Sequence, residues 1–152
     1  MLARLKKFLS DPTSAPVTAD VDEKKIATAA LLIEAALSDE TYCDDERIMV
    51  SNVLKRHYDL SDEEVTAVVA EAENAQGKAN QILHFTKTVK ETVEFDDRIQ
   101  IIEMLWEIAY ADGIISDYEA NLVRRICGLI YVDDKESGIA RKRVKAKLEI
   151  NN

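Results

Sequence analysis

From Asp20 onward, apolar residues recur at three- and four-residue steps. Ile26, Ala29, Ala30, Ile33, Ala36 and Leu37 form one such stripe, and Ile48, Met49, Val53 and Leu54 form another. This is the period of helices with one wet face each. Ser61-Asp-Glu-Glu64 and Ser116-Asp-Tyr-Glu119 have the capping-box spacing, in which a serine oxygen accepts from the amide three residues on and the glutamate reaches back. Each predicts a helix start. Between Phe85 and Ile99, threonine and valine alternate with polar residues in a way a strand could use, and the stretch is read as helix, turn, helix. After Pro16 there is no proline, and the only glycines are Gly77, Gly113, Gly128 and Gly138, which suits helices joined by short turns. The expected fold is therefore all-α, a compact multi-helix bundle.

The first nineteen residues read as a separate unit. Met1, Leu2, Leu5, Phe8 and Leu9 with Arg4, Lys6 and Lys7 between them predict an amphipathic helix. Pro12 and Pro16 among Ser, Thr and Ala then predict an extended linker up to residue 19. Residues 20–152 make up the folded domain. The residue 1–9 helix offers at most a weak contact with an anionic membrane surface, and packing on its own domain or a partner is the simpler use of it.

The chain repeats itself. Shifted by 73 positions, residues 25–59 align with 98–132 without a gap, with nine identities. Ile26 meets Ile99, Leu32 meets Leu105, Glu34 meets Glu107, Ala36 meets Ala109, Asp39 meets Asp112, Asp44 meets Asp117, Glu46 meets Glu119, Val50 meets Val123 and Tyr58 meets Tyr131. Apolar matches carry the packing face and acidic matches carry the turn, so the bundle is expected to consist of a duplicated helix, acidic turn, helix unit about a pseudo-twofold axis. Neither hairpin could bury its stripe alone.

The turns read Asp39-Glu-Thr-Tyr-Cys-Asp-Asp-Glu46 and Asp112-Gly-Ile-Ile-Ser-Asp-Tyr-Glu119. Both are too short for the twelve-residue EF-hand loop. Together, their carboxylates suit one hard divalent cation, calcium, magnesium or manganese, with zinc a poorer match to an all-oxygen set. The candidate ligands are Asp39, Glu46, Asp112 and Glu119. Asp44, Asp117 and Ser116 are outer-shell or capping candidates. Capping and the helix dipole account for acids at a helix start without a metal, whereas Asp39 and Asp112 fall at helix C-terminal ends, where a carboxylate is disfavoured.

Within that second turn, Glu107-Ile-Ala-Tyr-Ala-Asp-Gly-Ile-Ile-Ser-Asp-Tyr-Glu119 resembles the signature of the tellurite-resistance TerB-like family. The acidic turn of the first half and the closing segment Asp134-Lys-Glu-Ser-Gly-Ile-Ala-Arg-Lys-Arg-Val144 extend the resemblance over roughly 20–148. It implies an all-helical, internally duplicated fold and a cytoplasmic bacterial protein, at times peripheral to the inner membrane, in stress or toxic-anion resistance. It further implies a divalent-cation site among the acidic turns and no known reaction. In the first copy Glu40 replaces the glycine and Cys43 the serine, which makes the second copy the stronger one. Related domains also occur fused to co-chaperones, so a metal-free module for protein–protein interaction, using the acidic turns and a helical groove, is the alternative.

Composition narrows the remaining classes. With 29 acidic against 20 basic residues, the net charge of −9 opposes nucleic acid and favours cations or a basic protein partner. Two cysteines, Cys43 and Cys127, give neither a disulfide framework nor a zinc knuckle, as suits a reducing compartment. Cys43 among carboxylates is a poor nucleophile, and Cys127 reads as core. His57 and His84 lack metalloprotease spacing and read as surface or edge residues. Arg124-Arg125 and the basic run from Arg141 to Lys147 read as solvated faces, and Trp106 with Tyr110 as core. No nucleophile, base and oxyanion donor can be assembled, so an enzyme is not expected.

Overall fold

The computed structural model describes residues 15–37, 44–75, 81–111 and 115–148, with residues 15–22 and 81 described by backbone only. Seven helices follow one another: α1 (Ala15–Ala36), α2 (Asp44–Tyr58), α3 (Asp62–Ala75), α4 (Gln81–Thr92), α5 (Phe95–Ala109), α6 (Asp117–Leu129) and α7 (Asp134–Lys147). No strand occurs among the described residues. The expected linker is shorter than its two prolines suggested, because α1 already begins at Ala15. Pro16 then sits in the first turn, where a missing N–H costs nothing. The segment 1–9 lies outside the described residues.

Two helices form the interior. α1 packs against α2, α3, α4, α5 and α6, and α5 packs against α1, α2, α6 and α7. From Ala27 to Ala36 only Glu34 is more than slightly exposed, and Thr28 is fully buried. The Thr28 hydroxyl donates to the Lys24 carbonyl at 2.9 Å and shares a 3.0 Å hydrogen bond with the Tyr58 hydroxyl, so no polar atom of the side chain is stranded. On α5 the run from Met104 to Ala109 is buried without a break. The one-wet-face pattern expected for α1 therefore gives way to all-round burial, since alanines at 27, 29, 30, 35 and 36 let neighbouring helices close in from several sides.

The α2 stripe also needs correcting. Val50, Val53 and Leu54 face the core, Met49 lies at its edge, and Ile48 points outward at 57% exposure. Leu37 is likewise exposed. Both residues extend an apolar run one position beyond the arc that the neighbours cover.

The threonine-rich stretch is helix, turn, helix. α4 ends at Thr92 and α5 begins at Phe95. Thr86, Thr88 and Thr92 each donate to the carbonyl four residues earlier, at 2.7, 3.2 and 2.7 Å. Those bonds satisfy hydroxyls that burial would otherwise penalise, so a β-favouring composition is compatible with helix here. Arg98 secures the following turn, donating to the carbonyls of Val93 at 2.9 Å and Ile130 at 2.8 Å.

Both expected capping boxes form. Ser61 and Glu64 exchange bonds of 3.0 and 3.1 Å, and Ser116 and Glu119 exchange two of 3.1 Å. α1 and α5 end at Ala36 and Ala109, and α2 and α6 begin at Asp44 and Asp117, all at the 73-residue offset of the repeat. The register slips at the far ends. α2 closes through Asp59 (φ 53°) and α6 through Tyr131 (φ 61°), one residue out of step. In each case the next amide, of Leu60 or Val132, bonds five residues back to Lys55 or Cys127, and its apolar side chain is buried.

The contrast between buried and outward apolar positions is testable by denaturant unfolding. Leu32→Ala should cost about 2–5 kcal/mol, because the site is closed on every side, whereas Ile48→Ala should change stability by less than about 0.5 kcal/mol.

Candidate functional site

The sequence-predicted ligands divide into two groups. Glu46 and Glu119 are half-buried and line one cavity of about 230 Å³, closed by Ala36, Met49, Ile108 and Ala109. They come from the first turns of α2 and α6, and the two acidic helix starts thus face a common space. Asp39 and Asp112 lie outside the described residues. Asp44 and Asp117 are exposed in the first turns of their helices, and Ser116 is the N-cap of α6.

The carboxylate of Glu119 is partly committed. Its Oε1 accepts from both the amide and the hydroxyl of Ser116, at 3.1 and 2.9 Å. Among the described residues no group of three His, Cys, Asp or Glu side chains is arranged to hold an ion. Three lining carboxylates, Asp45, Glu46 and Glu119, and an apolar wall fit a hard cation in chemistry, but the three are not arranged to hold one, so the fit requires donors from the turns themselves.

The strongest electrostatic feature lies beside this cavity and was not foreseen. Glu107 on α5 is 5% exposed, yet it is ionised. Its Oε1 accepts from Arg56 Nη1 at 3.0 Å and Lys147 Nζ at 2.8 Å, and its Oε2 from His57 Nε2 at 2.9 Å. Gln100 Nε2 lies 3.1 Å from His57 Nδ1 and donates to the His57 carbonyl at 3.3 Å, contacts that hold the imidazole with Nε2 facing Glu107. Burial alone would push the Glu107 carboxyl up. Hydrogen bonds from His57 and Lys147 and the charges of His57 and Arg56 outweigh it and hold the group at about 2.

One earlier expectation changes with this cluster. His57 lies at the edge of the core with its side chain 10% exposed and its ring against Glu107, and His84 is exposed, as the surface-or-edge reading expected. The basic run on α7 is not a purely solvated face. Lys147 reaches Glu107, Arg143 lies 3.5 Å from Glu103, and Arg141 donates to the Tyr110 hydroxyl at 2.6 Å while stacking 4.9 Å from the Trp106 ring centroid. Trp106 also donates to Ser137 Oγ at 3.2 Å. Arg124 and Arg125 are exposed. The only trace of this in the sequence was the Glu34–Glu107 match within an otherwise apolar stripe. Cys127 is buried, and burial pushes its thiol up, as suits an inert core residue.

A helical bundle with two central helices, capped acidic helix starts and paired glutamates at one cavity defines the class of protein as an all-α domain. The chain belongs to the family described as tellurite resistance protein TerB, whose family model matches residues 25–142. No curated protein and no solved structure gives a significant match. None of the described helices is long and apolar enough to cross a membrane.

The ionised, buried Glu107 makes acid stability predictable. Its folded value lies below its ordinary 4.5, so its contribution is fully present above about pH 4.5 and is lost as pH falls through about 2. A shift of that size corresponds to on the order of 3 kcal/mol. Denaturant unfolding across pH 2–5 should show this loss in the wild type and a flatter profile in Glu107→Gln.

Proposed function

We propose that this TerB-family domain is a non-enzymatic cation-responsive module. It binds one divalent cation, calcium, magnesium or manganese, at the cavity between its acidic turns, in a cytoplasmic stress or tellurite-resistance role. The observation that carries this reading is the shared cavity of Glu46 and Glu119, two glutamates at matching positions of the repeated unit. Asp39 and Asp112, each seven positions before one of those glutamates in the sequence, are the proposed further ligands. Asp44 and Asp117 orient water or hold their helix starts. Binding would relieve repulsion among the carboxylates and fix the angle between the α1–α2 and α5–α6 hairpins, converting occupancy into a change of shape.

A second reading has its own support. Glu119 is already engaged by Ser116, and a further space of about 310 Å³, lined by Val53 and Leu148, shares Met49 and Ala111 as walls with this cavity. These features suit an interaction module that needs no metal, with the acidic turns attracting a basic partner.

Thermal unfolding of chelator-stripped protein tests the cation reading. Calcium, magnesium or manganese at about a hundred times its dissociation constant should add about 2.7 kcal/mol and raise the midpoint by several degrees. Asp39→Asn combined with Asp112→Asn should abolish the rise. An unchanged midpoint with every cation up to millimolar levels would overturn the reading.

A further inference from the structure

The cavity holding Glu46 and Glu119 and the one beside Glu107 share Met49 and Ala111 as walls. They therefore form one groove along α2, whose residues Glu46, Met49, Val53 and Arg56 follow one another at helical steps. From Glu46 to Arg56 the groove runs about 15 Å, or roughly three helical turns. Its two ends differ in charge. The described residues lining the first half include three carboxylates, Asp45, Glu46 and Glu119, and no Lys or Arg. At the other end, among the described residues lining the second half, Arg56 and Lys147 converge on one carboxylate, that of Glu107, an excess of positive charge. Between the ends the surface is apolar, with Met49 half-buried and Leu148 41% exposed.

We propose that this groove is the docking site for an amphipathic helix of a partner protein, acidic in its first turn and basic in its last, lying antiparallel to α2. Three considerations fix the occupant. Helices wall the groove, so it presents side chains rather than a sheet edge, and an incoming segment must satisfy its own backbone as a helix does. An acidic first turn and a basic last turn are the distribution that a helix's own dipole favours, as α2 itself shows with Asp44, Asp45 and Glu46 at one end and Lys55, Arg56 and His57 at the other. Laid antiparallel, such a helix brings its basic end to Glu46 and Glu119 and its acidic end to Arg56 and Lys147. Its apolar stripe then meets Met49 and Leu148, with Val53 buried beneath them. The inference rests on the interaction-module reading and requires no cation.

The test is fluorescence anisotropy of the full chain, in chelator, with two hydrocarbon-stapled helical peptides of identical composition. The first carries glutamates in its first turn, leucines at i, i+4 and i+7, and lysine and arginine in its last turn; the second has the charges exchanged. At low ionic strength the first should bind at least about tenfold more tightly, and the difference should collapse at high salt. Met49→Glu should weaken binding of the first peptide at least about tenfold. Equal binding of the two peptides, no binding of either, or indifference to Met49→Glu would overturn the proposal. Should that variant unfold, amide chemical-shift changes in the wild type must centre on Met49, Val53, Ala111 and Leu148, and changes centred elsewhere would overturn it equally. Sedimentation of the chain alone adds a further outcome: a dimer dispersed by Met49→Glu would assign the groove to a second copy and overturn docking of a partner helix. Because the titration is run in chelator, its failure leaves the cation reading to be judged by the unfolding experiment alone.

Discussion

An ionised carboxylate in the interior is costly unless its lost hydration is replaced, and Glu107 replaces it with three donors drawn from two other helices. Arg56 and His57 come from the last turn of α2, and Lys147 from the last turn of α7. The helix ends are therefore fixed relative to α5 by a geometry that apolar contact alone would leave free to slide. Both groups of donors also sit where a helix dipole welcomes positive charge, so the same residues that end α2 and α7 favourably are the ones that neutralise α5. Arg141 reinforces the arrangement a turn and a half earlier on α7 by bonding Tyr110 and stacking on Trp106.

Around that anchor the core is organised by two helices buried on nearly every side. In α1 the buried residues mix alanines with Leu31, Leu32 and Ile33, and in α5 large ones such as Ile101, Ile102, Met104, Leu105 and Trp106 dominate. Alanine-rich α1 lets five helices approach it, while α5 fills the remaining volume. The floor of the candidate site is a direct product of this packing. Ala36 and Ala109 are where the two central helices end, and both line the cavity shared by Glu46 and Glu119.

Much of this was legible in the chain. Capping boxes at Ser61 and Ser116, the helical reading of the Thr-rich stretch and the core role of Trp106 and Cys127 depend on neighbours within a turn or two, and local pattern carries such information well. The failures share the opposite property. The pairing of His57 with Glu107 was hidden because the two lie 50 positions apart, and the α7 cations looked solvated because Glu103 and Glu107 are 40 positions distant. Ile48 and Leu37 sit just past the covered arc of their helices, an edge that only the neighbours' placement defines. For the site, the repeat pairs Glu46 with Glu119 in the sequence, and both residues line one cavity. The repeat could not reveal the space beside Glu107, since that depends on Lys147 and Leu148 at the end of α7, whereas α3, which follows α2 as α7 follows α6, ends at Ala75.

That asymmetry bears on how the domain is used. A duplicated hairpin pair alone would offer two equivalent acidic turns and no preferred direction along the surface between them. α7 breaks the equivalence, because it supplies Lys147 to Glu107 on the α5 side, while Glu34, the matching residue on α1, is only half-buried. Among the described residues, one end of the α2 groove is thereby basic and the other acidic. A ligand drawn to the carboxylates alone would sense only the first end, whereas a segment spanning the groove would sense its direction as well. Polarity of this kind discriminates between partners more than it strengthens binding, because a reversed segment sets like charges against each other at both ends.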